Sequence, residues 1–528
     1  MDAKKIEAVY PVSPFQEAGL SQLLKGQTAG QAHHLLSCTV RGVVNVAALE
    51  KAWNQVVERH PILRTSFAWK RMERPFQVVH RAPQVSVEQQ DWRSSSLSPR
   101  EQLLAYYRDP RLSQWFNPAE ARAARLSLCR TGDHIYVLAC SYSRLLLDDR
   151  SASLVLNELL VRYDALIRRG NSDSRGSVPY RDYLAWLERQ DPARAETFWK
   201  ATLGDLNSAA PLAEALSPNP GSGIEEYDQR QLRCSPSLTT RSRFGWETLL
   251  QGAWAVLLSR YSGERQAVFG VTISVRSTMP ASPETMLGPL TNTLPAFVKV
   301  DDHEQVRVWL ERLPAQLTGL RQYGHHSLSQ LHQWIGRPAD LPLFESRLIA
   351  DRESVEAFSA TTFGRCTVSD PQLFSAPWTP LTVEMPSTPE PTLRLTYDRS
   401  RFDDQTIERL LRHLAETMEW IGANPEARLG EFFLFDQSVQ PRRSRAESAN
   451  RCTHELIEDG LAARPDVIAL SFEDQQVSYQ ELNRRSNRLA RYLKELGVGP
   501  ETRVGICLNR GLNMIEAVLG VLKAGAAY

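Results

Sequence analysis

No apolar run in this chain of 528 residues approaches the roughly 20 residues needed to cross a bilayer. A helical membrane span is therefore excluded and a soluble protein is expected. Neither sign of charge dominates: Lys and Arg number 62 against 61 Asp and Glu, so no global field draws the chain to nucleic acid or to an anionic membrane. Partners must be recognised locally. The opening Met1–Glu7 has no apolar segment before a small-residue cleavage site, so a secretory signal is absent and a cytoplasmic protein is expected. Cysteine is sparse: Cys38, Cys129, Cys140, Cys234, Cys366, Cys452 and Cys507 are odd in number, scattered and mostly inside apolar runs, which fits buried free thiols better than a disulfide framework. No pair has the close spacing of a zinc site, and no metal is expected.

Hydrophobic residues make up 42% of the chain, ample for packed cores, and its length gives a soft prior of roughly three domains or subdomains. The most informative segment is Ser141-Tyr-Ser-Arg144-Leu-Leu-Leu-Asp148-Asp149-Arg150-Ser151. It follows the apolar run Ile135–Cys140 and precedes a helical run with Leu156, Leu159, Leu160, Tyr163, Leu166 and Ile167 on one face, so it reads as a strand-to-helix turn. Cations and Gly170 stop that helix, while Asp148, Asp149 and Ser151 complement the free N–H groups at its start. Capping thus stands beside any catalytic reading of these acids.

Before the turn, Tyr10-Pro-Val-Ser-Pro-Phe-Gln-Glu17 reads as an ordered turn capping a first helix, followed by a strand near His33–Val40 and a helix with Leu49, Trp53, Val56 and Val57 on one face, ended by Pro61. Further strands are expected near Phe76–His80 and Ala124–Cys129. After it, Gly170–Val178 and Ser208–Gly223 read as loops, Tyr180–Trp199 as helical, Trp246–Tyr261 as a buried helix and Gln266–Ser274 as a buried strand. Strands at Ala296–Val300, near Leu348 and at Leu393–Tyr397, and helices at Val306–Tyr323 and Asp404–Ile421, complete this part. Gln437–Ser448 is polar, basic and aperiodic, and reads as a linker. Beyond it, a helix with Leu482, Leu489, Leu493 and Leu496 on one face, a strand Arg503–Leu508 and a helix Gly511–Lys523 open an alternating α/β unit that ends at Tyr528 in mid-domain, as in a fragment.

These residues together resemble a nonribosomal peptide synthetase: a condensation-type domain followed by the start of an adenylation domain. The likeness rests on Tyr10–Glu17, Arg59-His60-Pro-Ile-Leu-Arg64-Thr65, the central turn, Tyr180-Arg-Asp-Tyr183-Leu-Ala-Trp186, Gly288-Pro-Leu-Thr-Asn292-Thr293-Leu-Pro295 and Tyr397–Asp403, with Val477–Leu482 and Leu522–Tyr528 on the adenylation side. It implies an α/β, two-lobed chloramphenicol-acetyltransferase-like fold with lobes at 1–175 and 176–436, a linker at 437–450 and the N-terminal part of an α/β adenylate-forming domain at 451–528. It also implies upstream and downstream carrier proteins as partners, each bringing a phosphopantetheine arm into a shared tunnel, where an acceptor amine attacks a donor thioester. Ser151, Asn292 and Thr293 are candidate tunnel-lining residues. The phosphate-gripping loop, specificity pocket and catalytic lysine of the adenylation domain would lie beyond Tyr528, so ATP and Mg²⁺ belong to the complete domain.

In the family the turn resembles His-His-x-x-x-Asp-Gly. Here Ser143 stands for the first His, Arg144 for the second and Asp149 for the Gly; only Asp148 is kept, and Arg64 is its expected structural brace. A guanidinium cannot take the proton an imidazole would. Arg144 either plugs the tunnel by pairing with Asp149, the preferred reading, or stabilises a developing oxyanion. The first reading makes the domain impaired or a docking platform for carriers, its adenylation domain or a modifying enzyme, as in the related domains that resemble His-Arg-x-x-x-Asp-Asp. The second makes it an acyltransferase working by proximity, with Arg144 as electrophilic donor. A heterocyclising variant is the weaker alternative, since Ser143 replaces its first Asp. His33 and His34, adjacent on a strand, cannot both serve one site; for His60, His325 and His326, satisfied surface or capping roles are expected.

Overall fold

The computed structural model describes residues 5–24, 33–81, 84–169, 178–204, 227–235, 243–279, 283–338, 341–349, 362–363, 365–375, 379–385, 391–432, 467–472, 475–509 and 511–528. It falls into two units, Met1–Phe433 and Leu434–Tyr528. The expected linker at 437–450, the loop Ser208–Gly223 and Cys452 lie outside the described residues, as does most of the breaker Gly170–Val178.

In the first unit one six-stranded sheet runs in the order Thr362–Phe363, Cys366–Ser375, His33–Arg41, Ile135–Ser143, Ala124–Gly132, Glu88–Asp91. Its central strands are apolar on both faces because both are covered. Leu36, Cys38, Val40, Leu138 and Cys140 pack with Trp53 and Val56 of the helix Val46–Arg59 and with Leu156 and Leu159 of the helix Asp149–Arg168. Leu35, Val137 and Ala139 face the other way, against Leu103 of the helix Pro99–Tyr107. The two-residue period thus assigns each side chain to a layer.

A second six-stranded sheet runs Thr291–Lys299, Gln266–Ser274, Ser346–Ile349, Leu381–Glu384, Thr392–Asp398, Tyr227–Arg233. The helix Trp246–Ser262, buried from Leu249 to Ser259, packs on it with Val306–Gln322 and Asp404–Ala423. The strand Cys366–Ser375 comes from the expected second lobe but pairs antiparallel with His33–Arg41 of the first, with a bulge between Ser369 and Gln372. The first sheet is therefore completed by residues more than 300 positions away, a pairing that no local pattern specifies.

A small sheet of Ile6–Pro11, Phe76–His80 and Thr65–Ala68 lies at the start. It takes up Tyr10 and Pro11, so the helix cap begins only at Ser13, whose hydroxyl accepts from the Gln16 amide while Gln16 Oε1 accepts from the Ser13 amide.

The second unit contains a hairpin, Ile468–Phe472 with Gln475–Ser478, and the helices Tyr479–Glu495 and Leu512–Lys523, packed through Val477, Leu482 and Leu519. Leu489 lies so close to Gly520 that a Cβ there would stand 2.7 Å from it; Leu496, expected on the same face, is exposed. The expected strand Arg503–Leu508 is not formed: its one bridge, between Arg503 and Ala527, leaves the other residues without a ladder among the described residues. Of the six described cysteines all are free thiols, five buried and Cys507 exposed. Among the described residues no helix is long and apolar enough to cross a membrane, and no cluster of acids, histidines and cysteines could hold a metal ion.

Candidate active site

The strand Ile135–Ser143 and the helix Asp149–Arg168 are joined by the short turn 144–148. Ser143 closes it: its carbonyl accepts from the amides of Leu146 and Leu147, and its hydroxyl from that of Leu145. Leu145, Leu146 and Leu147 are buried, and the Leu145 carbonyl accepts from Gln16 Nε2 at 3.0 Å. The two acids that follow enter different surroundings.

Asp148 caps the helix, accepting from the Ser151 amide at 2.8 Å. Its carboxylate also takes Arg276 Nη1 at 2.7 Å and Nη2 at 3.0 Å, the Leu290 amide at 3.0 Å and the Thr291 hydroxyl at 2.9 Å. Both partners of the ion pair are buried. Burial alone would raise the Asp148 carboxyl, but Arg276 and the Ser151 hydrogen bonds hold it below the usual carboxylate range. Ser151 completes the cage, its hydroxyl donating to the Gly288 carbonyl and accepting from Arg276 and from the Gly288 amide. Only glycine fits at Gly288, where a Cβ would stand 2.3 Å from the Tyr180 ring.

The brace is thus Arg276, not Arg64. Arg64, in the turn Pro61–Arg64 beside the small sheet, reaches Glu7 at 2.5 Å and the carbonyls of His80 and Glu58. Both of its Nη groups are engaged there, whereas Arg276 sits just beyond the buried strand Gln266–Ser274 and points at the turn. Nor does Ser151 line a tunnel; it is fully buried within the cage. Asn292 donates to the carbonyls of Gly324 and His326, and buried Thr293 shares a hydrogen bond with the Thr272 hydroxyl on the neighbouring strand.

Asp149 accepts from His34 Nδ1 at 2.6 Å and from the Tyr142 hydroxyl at 2.7 Å. Its side chain keeps about a third of its exposure, 32%, against 6% for Asp148. Burial would raise Asp149, but His34, Tyr142 and the nearby Arg144 hold it well below the usual range. The expected pairing of Arg144 with Asp149 is absent: Arg144, half-buried, makes no ion pair or hydrogen bond with any described residue, because Asp149 is already taken. From the other sheet, buried Arg347 donates to the Thr382 hydroxyl at 3.0 Å and lies within electrostatic reach of Arg144 and Asp149. Burial and then Arg144 push Arg347 down to about 10, so it is still cationic at neutral pH.

Of the histidines expected in surface or capping roles, His60 caps the helix Val46–Arg59, its amide donating to the Val56 carbonyl, while His325 and His326 depart from a surface role by being buried. His33 and His34 do point to opposite layers, His33 Nε2 lying 3.3 Å from the Tyr107 carbonyl, but both are buried and His34 belongs to the turn. Burial lowers His33 to about 4 and lowers His34 as well, against the pull of Asp149. His60 is buried beside Glu158 at 2.6 Å. His325 and His326 are buried, their rings 4.2 Å apart between Trp186 and Trp334; aromatic neighbours, not polarity, decide their place.

The chain matches the condensation domain family over residues 6–440 and the AMP-binding enzyme family over residues 457–528. It is 33% identical to a linear gramicidin synthase of Brevibacillus parabrevis over 99% of this chain and 11% of that protein, and 26% identical to bacitracin synthase 3 of Bacillus licheniformis over 99% and 8%. The chain thus spans about a tenth of the length of these curated relatives. Among solved structures it is similar to a starter condensation domain of rhizomide synthetase in complex with C8-CoA (TM-score 0.67, 16% identity, 81% of this chain and 98% of that one). It is also similar to a four-domain nonribosomal peptide synthetase bound to AMP and glycine (TM-score 0.69, 20% identity, 99% and 42%). With the fold, the Arg276-braced turn and these relatives in view, the chain belongs to the condensation domain family of nonribosomal peptide synthetases, followed by the start of an AMP-binding domain.

Proposed function

We propose that the first unit joins two carrier-tethered substrates at the turn 143–149, transferring a donor acyl group from its thioester to the amine of an acceptor in the assembly of a peptide natural product. The observation that carries this reading is Arg144, unengaged among the described residues: a half-buried guanidinium beside a carboxylate that has other partners is a donor with spare capacity. As the amine attacks, negative charge gathers on the thioester carbonyl oxygen, and a fixed cation near it favours that state over the ground state. Holding both reactants side by side contributes the larger share, on the order of 7–11 kcal/mol. Phosphopantetheine enters on the carrier proteins; ATP and Mg²⁺ would serve the complete adenylation domain.

The test uses this chain with donor and acceptor carriers loaded as thioesters. Arg144→Ala is expected to lose amide product while carrier binding persists. A second reading, a docking platform for carriers or for a modifying enzyme, is favoured by one observation, that the turn itself bears no imidazole; carrier binding with no amide from the unaltered chain would establish it instead. A heterocyclising role gains no support, since Asp148 and Ser151, which that variant would use, are both committed to Arg276.

A further inference from the structure

The turn lacks an imidazole, but the strand beside it supplies one. His34 pairs across the sheet with Tyr142, so their side chains share a face, two residues before Arg144. His34 Nδ1 is 2.6 Å from Asp149 Oδ1, and the same oxygen accepts from the Tyr142 hydroxyl. An ionised carboxylate only accepts, so Nδ1 carries the hydrogen and Nε2, across the ring, presents its lone pair. That atom is buried and has no hydrogen-bond partner among the described residues. A buried acceptor left unsatisfied is costly, on the order of 1–3 kcal/mol, and a group that meets it only during turnover is one reason for such an atom.

We propose that His34, oriented by Asp149, is the proton-transferring base of the acyl transfer, with Nε2 as its working atom. The proposal rests on the acyl-transfer reading above. The acceptor amine nitrogen attacks the donor thioester carbonyl carbon; a C–N bond forms and the C–S bond breaks. The proton released by the amine passes to Nε2 and from there to the departing sulfur, so thioester and amine become amide and thiol, and His34 ends as it began. Contact between Nε2 and the amine is made in the substrate complex, where such hydrogen bonds tighten. Asp149 is the positioning residue: it fixes the tautomer and favours the transient imidazolium. The groups bearing on His34 are Asp149 and Tyr142 on its own layer, Arg144 from the turn, Arg347 from the second sheet, and His33. Burial, helped by the two guanidiniums and opposed by Asp149, lowers the ring's proton affinity and so favours the neutral form that can accept.

The test is single-turnover amide formation by this chain with loaded donor and acceptor carriers. His34→Gln is expected to slow the reaction about 10²–10⁴-fold with carrier affinity unchanged. In His34→Gly, added imidazole is expected to restore part of the rate, which a structural role would not show. Should neither variant melt cooperatively, Asp149→Asn decides, since it leaves the ring in place: a slowed reaction supports the proposal and an unchanged one overturns it. If His34→Gln keeps the rate while Arg144→Ala loses it, the base is not His34 but the acyl-transfer reading stands. If the unaltered chain forms no amide, both fall.

Discussion

Asp148 and Asp149 are neighbours in the chain and opposites in the fold. The first is sealed: a bidentate arginine, a backbone amide, a threonine hydroxyl and its own cap fill the lone pairs of its carboxylate. The second stays a third exposed, holds an imidazole and a phenol, and leaves Arg144 without a partner among the described residues. A saturated buried pair fixes geometry because any motion would strand a charge. An unsaturated one has hydrogen-bonding capacity left over. One turn therefore divides its labour, with the Asp148 side tied to Arg276, Leu290 and Thr291 and the Asp149 side partly open.

The contrast can be broken first at Arg276. Arg276→Ala leaves Asp148 buried and uncompensated, and chemical denaturation should show a loss of about 3–5 kcal/mol. Asp149→Asn should cost less, about 1–2 kcal/mol, because the amide oxygen still accepts and water reaches the site. It should also flatten the acid limb of stability. Both carboxyls are held below their ordinary value of 3.8, so the stability they give is present above that pH and lost as pH falls through the depressed values; the unaltered protein should lose stability more steeply in acid than Asp149→Asn. The smallest effect concerns Arg64. In a double-mutant cycle the coupling of Arg64 to Asp148 should be near zero, additive within about 0.3–0.5 kcal/mol, while that of Arg276 to Asp148 is large. Substantial Arg64 coupling would restore the brace expected from the sequence.

That expectation shows where local pattern stops. The strand Ile135–Ser143, the turn, the helix after it and the capping by Asp148 were legible, because each is set by spacing within about ten residues. The alternation that sends His33 and His34 to opposite layers was legible too. The partner of Asp148 was not, since Arg276 lies 128 residues away; its only signal is a lone arginine directly after a buried strand. His34 was undervalued because alternation tells which way a side chain points, not which helix end will meet it there.

By itself the sequence determined the family, the α/β layering and the identity of the turn, including the absence of an imidazole at Arg144, since these depend on residue type and short periods. The tertiary structure alone decided which acid is sealed and which is open, that Cys366–Ser375 crosses to complete the first sheet, and that His34 meets Asp149 beside the turn. Those are meetings between distant segments, and their energies depend on burial and on which donor arrives, quantities no single stretch of chain encodes.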